Sequence, residues 1–255
     1  MLTRDENGVL HVVALSGGHD STSMSFLLRQ REPRPYNYVC TPTGNELPAM
    51  FEFWRWLGSD NALGKPLIPI MAHSLKSLIE GYNALPNFRD RWCTRRIKIE
   101  PYRQFLIEQA ALGPIVSYVG LRADEEGRAG GAYDDIEGVT MRFPLREWGM
   151  GEDEVQADLA ERGIQCPYRT DCAVCYHQRL GEWYELWLNH PDLYAEGEKW
   201  EESSGHTFRT PGRDTWPSSL REMRLRFEAG DIPTRSLNRM ARERMAAGGC
   251  RVCSM

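Results

Sequence analysis

A chain of 255 residues, 41% hydrophobic and 26% charged, is long enough for one large α/β domain or a principal domain with an appendage, and its composition excludes wholesale disorder. Its net charge of −5 argues against a uniformly basic coat for nucleic acid, and no apolar run approaches the roughly 20 residues that span a bilayer. The first 15 residues pass from mixed charge into a short apolar stretch that ends in a glycine turn instead of a cleavage site, so a cytoplasmic protein without a membrane partner is expected.

In chain order, Val9 to Leu15 is a short apolar run ending in glycines, the pattern of a buried parallel strand, and Ser21 to Gln30 follows as a helix. Residues 36 to 41 (YNYVCT) predict a second strand, after which Asn45 is expected to cap a helix with Glu46 and Pro48 in its first turn. The segments LIPIM, IVSYVGL and MRFPL predict further strands, separated by helices at Ser74 to Tyr82, Glu100 to Leu112 and Glu152 to Arg162. Such alternation predicts a doubly wound, mostly parallel sheet. After about residue 164 the texture turns to cysteines, tryptophans and helical spacing. This predicts a nucleotide-binding α/β domain over residues 1 to 163 and a helical, cysteine-containing region over residues 164 to 255. Leu180, Trp183, Tyr184 and Trp187 fall on one helical stripe and are expected in its core.

Between the first strand and its helix lies Ser16-Gly17-Gly18-His19-Asp20-Ser21-Thr22. A strand, a glycine turn and a helix N-terminus make an anion site, because free backbone N–H groups and the helix dipole converge on one point. Gly17 and Gly18 let the main chain approach a phosphate, and Ser16, Ser21 and Thr22 offer hydroxyl donors. Asp20 would repel a bare phosphate, so its presence implies Mg2+ with a nucleotide. The spacing fits neither the Walker loop nor the dinucleotide glycine pattern.

Basic side chains gather in two places. Arg89, Arg91, Arg95, Arg96, Lys98 and Arg103 form one cluster, part of which suits phosphate, while for Lys98 and Arg95 a structural ion pair is as good a reading as a ligand contact. The second, from Arg221 to Arg251, is interleaved with Glu222, Glu228, Asp231 and Glu243 and is expected to be solvated helix faces with ion pairs. Seven cysteines in a cytosolic chain point to metal binding or redox chemistry. Cys166, Cys172 and Cys175 form a C-x5-C-x2-C array; on a helix the last two would share a side, and with Cys93 they make four thiolates suited to a [4Fe-4S] cluster or to zinc. Cys166 is the least secure of the four, and without it three ligands and one open position remain. Cys40 reads as a strand residue, and Cys250 and Cys253 as a tail pair that a sulfur relay or redox role would suit.

The loop resembles the PP-loop, Ser-Gly-Gly-x-Asp-Ser, of the ATP pyrophosphatases (the adenine nucleotide alpha-hydrolase superfamily), and further segments resemble, in order, motifs of its phosphoadenosine phosphosulfate (PAPS) reductase branch. These are TPTGNELP at 41 to 48, with Pro42 where that family has aspartate; RWCTRRIKIEPYRQFL at 91 to 106, with one cysteine where some members have two; GLRADEEGR at 120 to 128; and FPLREWGMGEDEVQADLAERGI from residue 143. The resemblance implies that Ser16, Gly17, Gly18, Asp20 and Ser21 hold the triphosphate, that Thr43 and Gly44 lie near the nucleotide, and that Arg122 and Arg128 neutralise phosphate or substrate charge. It also implies the cluster over zinc, since iron-sulfur members take ligands from these two regions.

Three functions follow. The first is adenylation of a substrate by ATP for sulfur transfer, as in DNA phosphorothioation or tRNA thiolation, with a sulfur donor such as a cysteine desulfurase and a nucleic-acid acceptor presented by a partner protein. The second is a PAPS or APS reductase releasing sulfite, and the third a non-catalytic nucleotide-binding protein. The resemblance implies that reductases have degraded the loop, whereas this chain keeps it entire, which favours ATP.

Overall fold

The structure, a computed structural model, describes residues 2 to 128, 133 and 135 to 246. Five strands form one parallel sheet, β1 (Leu10–Ala14), β2 (Asn37–Cys40), β3 (Ile68–Pro69), β4 (Ile115–Val119) and β5 (Val139–Arg142), in the order β3-β2-β1-β4-β5. The α/β doubly wound class expected from the alternating pattern is the one observed. Register runs through Val12 opposite Asn37 on one side of β1 and Leu10 opposite Ile115 on the other.

Alternation along β1 explains the sheet's two cores. Val13 and Leu15 face α1 (His19–Arg31), α2 (Pro48–Leu57) and the later α6 (Glu152–Glu161), in a core with Met24, Leu28, Phe53 and Val155. Leu10 and Val12 face the other way, against Tyr102 and Leu106 of α4 (Glu100–Ala110). A strand covered on both faces must be apolar at successive positions, which is the run visible in the sequence. Helix α1 is buried along its first seven residues although it carries Ser21, Thr22, Ser23 and Ser25. It tolerates this because the Ser25 hydroxyl donates to Ser21 O at 2.6 Å and the Ser23 hydroxyl to Asp158 Oδ2 of α6 at 2.7 Å.

Three local expectations need correction. The second helix starts at Pro48 with Leu47 at its cap position, not at Asn45, whose side chain is used elsewhere. The fifth strand is Val139–Arg142 and stops before Pro144, which cannot donate to a ladder and instead opens the short helix α5 (Pro144–Glu147). Cys172 and Cys175 lie on an irregular segment, not on a helix.

After α3 (Leu75–Tyr82), a π-helical turn at Thr94–Ile99 leads into α4. The C-terminal part is helical among the described residues: α7 (Leu180–Asn189), α8 (Pro191–Ser204), α9 (Leu220–Glu228) and α10 (Thr234–Ala246). Helices α7, α8 and α9 share a third core with Leu75 and Ile79 of α3, Trp92 and Ile97, and α10 packs on α7. Trp183 is fully buried there with Tyr184 and Trp187 packed against it, as the aromatic stripe predicts. No helix among the described residues is long and apolar enough to cross a membrane.

Candidate functional site

Strand order reverses at β1, since the chain first adds β2 and β3 on one side and then β4 and β5 on the other. In open α/β sheets the crevice beyond the carboxyl ends at such a switch point is where ligands sit. Here that crevice is a cavity of about 260 Å³, lined by Ser16 and Ser21, the ends of β2 and β4, and Lys98, Tyr102 and Arg128.

The loop is shaped by what surrounds it. Gly17 has φ +88°, and a Cβ there would stand 2.8 Å from Trp54 Nε1 and 2.9 Å from Met50 Cε. Trp54 is that close because its indole N–H donates to Ser16 O at 2.9 Å, clamping the turn from α2. On the opposite side, a Cβ on Gly120 at the end of β4 would come within 3.0 Å of Ser21 N, so that glycine lets the sheet edge lie against the first turn of α1. Gly18 occupies the N-cap position in extended conformation with no side-chain cap, which leaves amide donors of the first helical turn free for an anion. Ser16 Oγ and Ser21 Oγ are 3.0 Å apart, and Gly18 N–H donates to Ser16 Oγ at 3.3 Å.

Beneath the loop Asp20 is buried and paired with Arg122, whose Nη1 donates to Oδ1 at 3.2 Å and Oδ2 at 3.3 Å. Burial pushes the Asp20 carboxyl up, and Arg122 pulls against it. Arg122 is itself held by Asp124 at 2.9 Å, and Arg128 donates to Glu125 at 2.8 Å. Arg146 ties this stretch together by donating to the carbonyls of Arg122, Glu125 and Arg128. Neither Trp54 nor Arg146 stood out in the sequence, because a side chain bonding to backbone leaves no periodic trace.

Of the expected phosphate ligands, Ser16, Ser21 and Arg128 line the cavity, with Gly17, Gly18 and Asp20 in the adjoining turn. Thr22 is fully buried, and its hydroxyl has no partner among the described residues. The basic pair separates: Arg95 sits 3.5 Å from Glu100 in an exposed ion pair, whereas Lys98 lines the cavity and makes no ion pair among the described residues.

Thr43 and Gly44 do not line the cavity; Thr41 does. Instead, the 43 to 46 segment is stitched to the cysteines. Glu46, buried, accepts from Thr43 N and Oγ1, both at 2.6 Å, and from Gly44 N at 3.0 Å, and it forms an isolated antiparallel bridge with Cys172. Asn45 accepts through its side-chain oxygen from Val174 N at 2.9 Å and through its carbonyl from Ala173 N. The Cys172 thiol in turn donates to Thr43 Oγ1 at 3.4 Å.

Cys93, Cys172 and Cys175 pack against one core, whereas Cys166 packs against another, beneath α1 and α6. Burial pushes Cys172 up to about 11, Cys175 well above the ordinary thiol value and Cys93 upward, with Lys98 opposing the rise at Cys93 and Cys172. Among the described residues no three His, Cys, Asp or Glu side chains stand close enough to hold one metal ion. Cys93, Cys172 and Cys175, gathered on one core with Lys98 acting on Cys93 and Cys172, are the described thiols whose soft sulfur donors would suit a four-iron cluster. Cys250 and Cys253 lie outside the described residues.

No protein-family model matches the chain, and no curated protein matches it. Among solved structures, the chain is similar to the PAPS reductase from Candida auris in its phosphate complex, at 13% identity over 61% of this chain and 74% of that one, with a TM-score of 0.44. It is similar also to the U34-tRNA thiolase NcsA from Methanococcus maripaludis with its [4Fe-4S] cluster, at 17% identity over 82% of this chain and 76% of that one, with a TM-score of 0.42. At these scores the functional reading rests on the loop, the cavity and the thiols.

Proposed function

We propose that this protein is an ATP pyrophosphatase that adenylates a substrate for sulfur transfer of the nucleic-acid thiolation or phosphorothioation type, releasing AMP and pyrophosphate. The observation that carries the reading is the complete Ser-Gly-Gly-His-Asp-Ser-Thr turn, wedged between Trp54 and Gly120 at the switch point of the sheet, with a carboxylate and an arginine paired at its base.

In this reading the amides of the α1 N-terminus and the hydroxyls of Ser16 and Ser21 take the β- and γ-phosphates, while Arg128 and Lys98 meet the charge that builds on the leaving pyrophosphate. Asp20 would hold Mg2+ when the nucleotide brings it, where the ion would offset phosphate charge, and Arg122, now paired with Asp20, is the neighbouring cation that would meet the nucleotide. The acceptor's oxygen attacks the α-phosphorus, the bond from that phosphorus to the α–β bridging oxygen breaks, and pyrophosphate departs. A sulfur nucleophile then takes the acceptor and AMP leaves. A [4Fe-4S] cluster, when bound, would supply a soft site for that sulfur. Cys93, Cys172 and Cys175 would hold it, with Cys166 left out of the set, and the Thr43 contact to Cys172 ties it to the nucleotide side. A cysteine desulfurase would suit as donor, and a partner protein as the means of presenting the acceptor in the cytoplasm.

The test is nucleotide and metal analysis on one anaerobic preparation. ATP with Mg2+ should bind and, with acceptor and sulfur donor supplied, yield AMP and pyrophosphate, and the protein should be brown. Preference for PAPS with sulfite release would establish the reductase instead. Undiminished turnover in Asp20→Ala would refute the loop's role, and colourless protein with stoichiometric zinc would refute the cluster.

A further inference from the structure

A cavity of about 720 Å³ lies outside the switch point, in the C-terminal helical part, between the loop after α8 and the start of α10. Its charged lining is Arg179, Arg209, Arg213, Arg235 and Arg239 against one carboxylate, Asp214. Most of the other arginines of this region are engaged as the interleaved acids predict: Arg224 with Glu198 and Glu228, Arg226 with Asp231, and Arg244 with Glu185. Within the cavity the pairing is incomplete. Arg179 meets Glu182 and Glu243, Arg239 meets Glu243, and Arg209 meets Asp214 at 2.7 Å, but Arg213 and Arg235 form no ion pair among the described residues.

Two more features point at an anion. Arg209 is buried to 3% exposure, lines the cavity, and its Nε–H has no partner among the described residues. A buried guanidinium donor left open is costly unless something polar reaches it. Thr234, Arg235 and Ser236, the first turn of the 13-residue α10, also form part of the wall, so the positive end of that helix faces the same space. Planar forks and a helix N-terminus are a phosphate-binding set, and the volume is in the range of sites that take a nucleotide-sized group.

We propose that this cavity is a second phosphate site, which grips the sugar-phosphate backbone of a nucleic-acid strand. The acidic net charge of the chain confines such binding to a local patch, and this is the patch. If the pyrophosphatase reading holds, the strand is its acceptor; the cavity's binding is measurable independently of any turnover.

The probe is a fluorescein-labelled, mixed-sequence single-stranded oligonucleotide titrated by anisotropy with the full-length protein over a range of salt. Arg213→Ala/Arg235→Ala removes two charges that form no ion pair among the described residues, and Asp214, which feels Arg213, keeps its ion pair with Arg209, so folding is not at issue through a stranded partner. It should weaken binding about tenfold or more and lower the slope of log K against log salt by about 1.4, the value for two phosphate contacts on a single strand. Arg221→Ala/Arg242→Ala removes the same charge outside the cavity and should leave the slope in place. Equal losses in the two double variants, or an unchanged slope in the first, would overturn the site. Inorganic phosphate at matched ionic strength is the second probe: an oligonucleotide that stays bound supports a strand, and complete displacement at low millimolar phosphate assigns the cavity to a free phosphate and overturns it. Cavity-dependent binding without AMP formation under any condition would keep this site while sinking the pyrophosphatase; AMP formation with no cavity-dependent binding would do the reverse.

Discussion

Gly17→Ala tests the loop's construction through two separable costs. An alanine at φ +88° incurs the left-handed penalty of about 1 to 2 kcal/mol. Its Cβ would also stand 2.8 Å from Trp54 Nε1 and 2.9 Å from Met50 Cε, closer than carbon and nitrogen pack, so the indole must move. Once it moves, its 2.9 Å bond to Ser16 O is lost, at about 1 kcal/mol. The sum is a loss of about 2 to 3 kcal/mol, or roughly 5 to 10 °C in Tm for a chain of this size. Trp54→Phe alone removes the same bond and should cost about 1 kcal/mol. The Trp54 bond is lost only once in the double variant, which should therefore be about as stable as Gly17→Ala alone, leaving a coupling of about 1 kcal/mol. Urea denaturation of the four proteins measures this, with ATP titration as a parallel readout in which both glycine variants bind more weakly. A Gly17→Ala protein within 0.5 kcal/mol of wild type, or strictly additive variants, would refute the clamp.

Two further outcomes follow from groups away from the loop. Glu201 accepts from Phe208 N at 2.9 Å and Leu220 N at 2.7 Å, yet burial raises its carboxyl to about 7. The folded chain therefore keeps a proton that the unfolded chain releases above its ordinary value of 4.5: the contribution is full below 4.5 and is lost as pH rises through about 7, in total about 3 kcal/mol. Subtracting the Glu201→Gln stability profile from that of wild type should expose this decline between pH 5 and 8, and a flat difference would contradict it. Asn45→Ala strips the acceptor from Val174 N–H, which is 1% exposed, and should cost about 2 kcal/mol; if iron is bound, its stoichiometry should fall as well, measured on the same anaerobic protein. Unaltered stability would mean that the 43 to 46 segment does not anchor the cysteine segment.

The parts of this molecule legible in the sequence are those whose physics is local. A doubly covered strand is mostly apolar, with only a hydrogen-bonded His11, Asn37 or Ser117 interrupting, so β1, β2 and β4 were readable, and a turn with φ +88° at Gly17 asks for the residue found there. The loop's chemistry was readable for the same reason, since hydroxyls, glycines and the carboxylate sit within seven positions. Misreadings arose where one local pattern served a distant purpose. Asn45, three residues before Pro48, has the look of a helix cap, but its amide oxygen is spent on Val174, 129 positions away, and the helix begins at Pro48 without it. The helix expected to align Cys172 and Cys175 gave way to an irregular segment, because Ala173 and Val174 donate their backbone N–H groups to Asn45 and not to a helical turn. Single-residue bridges such as Glu46 with Cys172 have no period at all. Yet this one decides the layout of the candidate site. It sets Thr43 against the Cys172 thiol and holds the cysteine segment against residues 43 to 46. Residues 43 to 46 and the cysteine segment are therefore joined through Glu46 and Asn45, a link that motif spacing alone does not reveal.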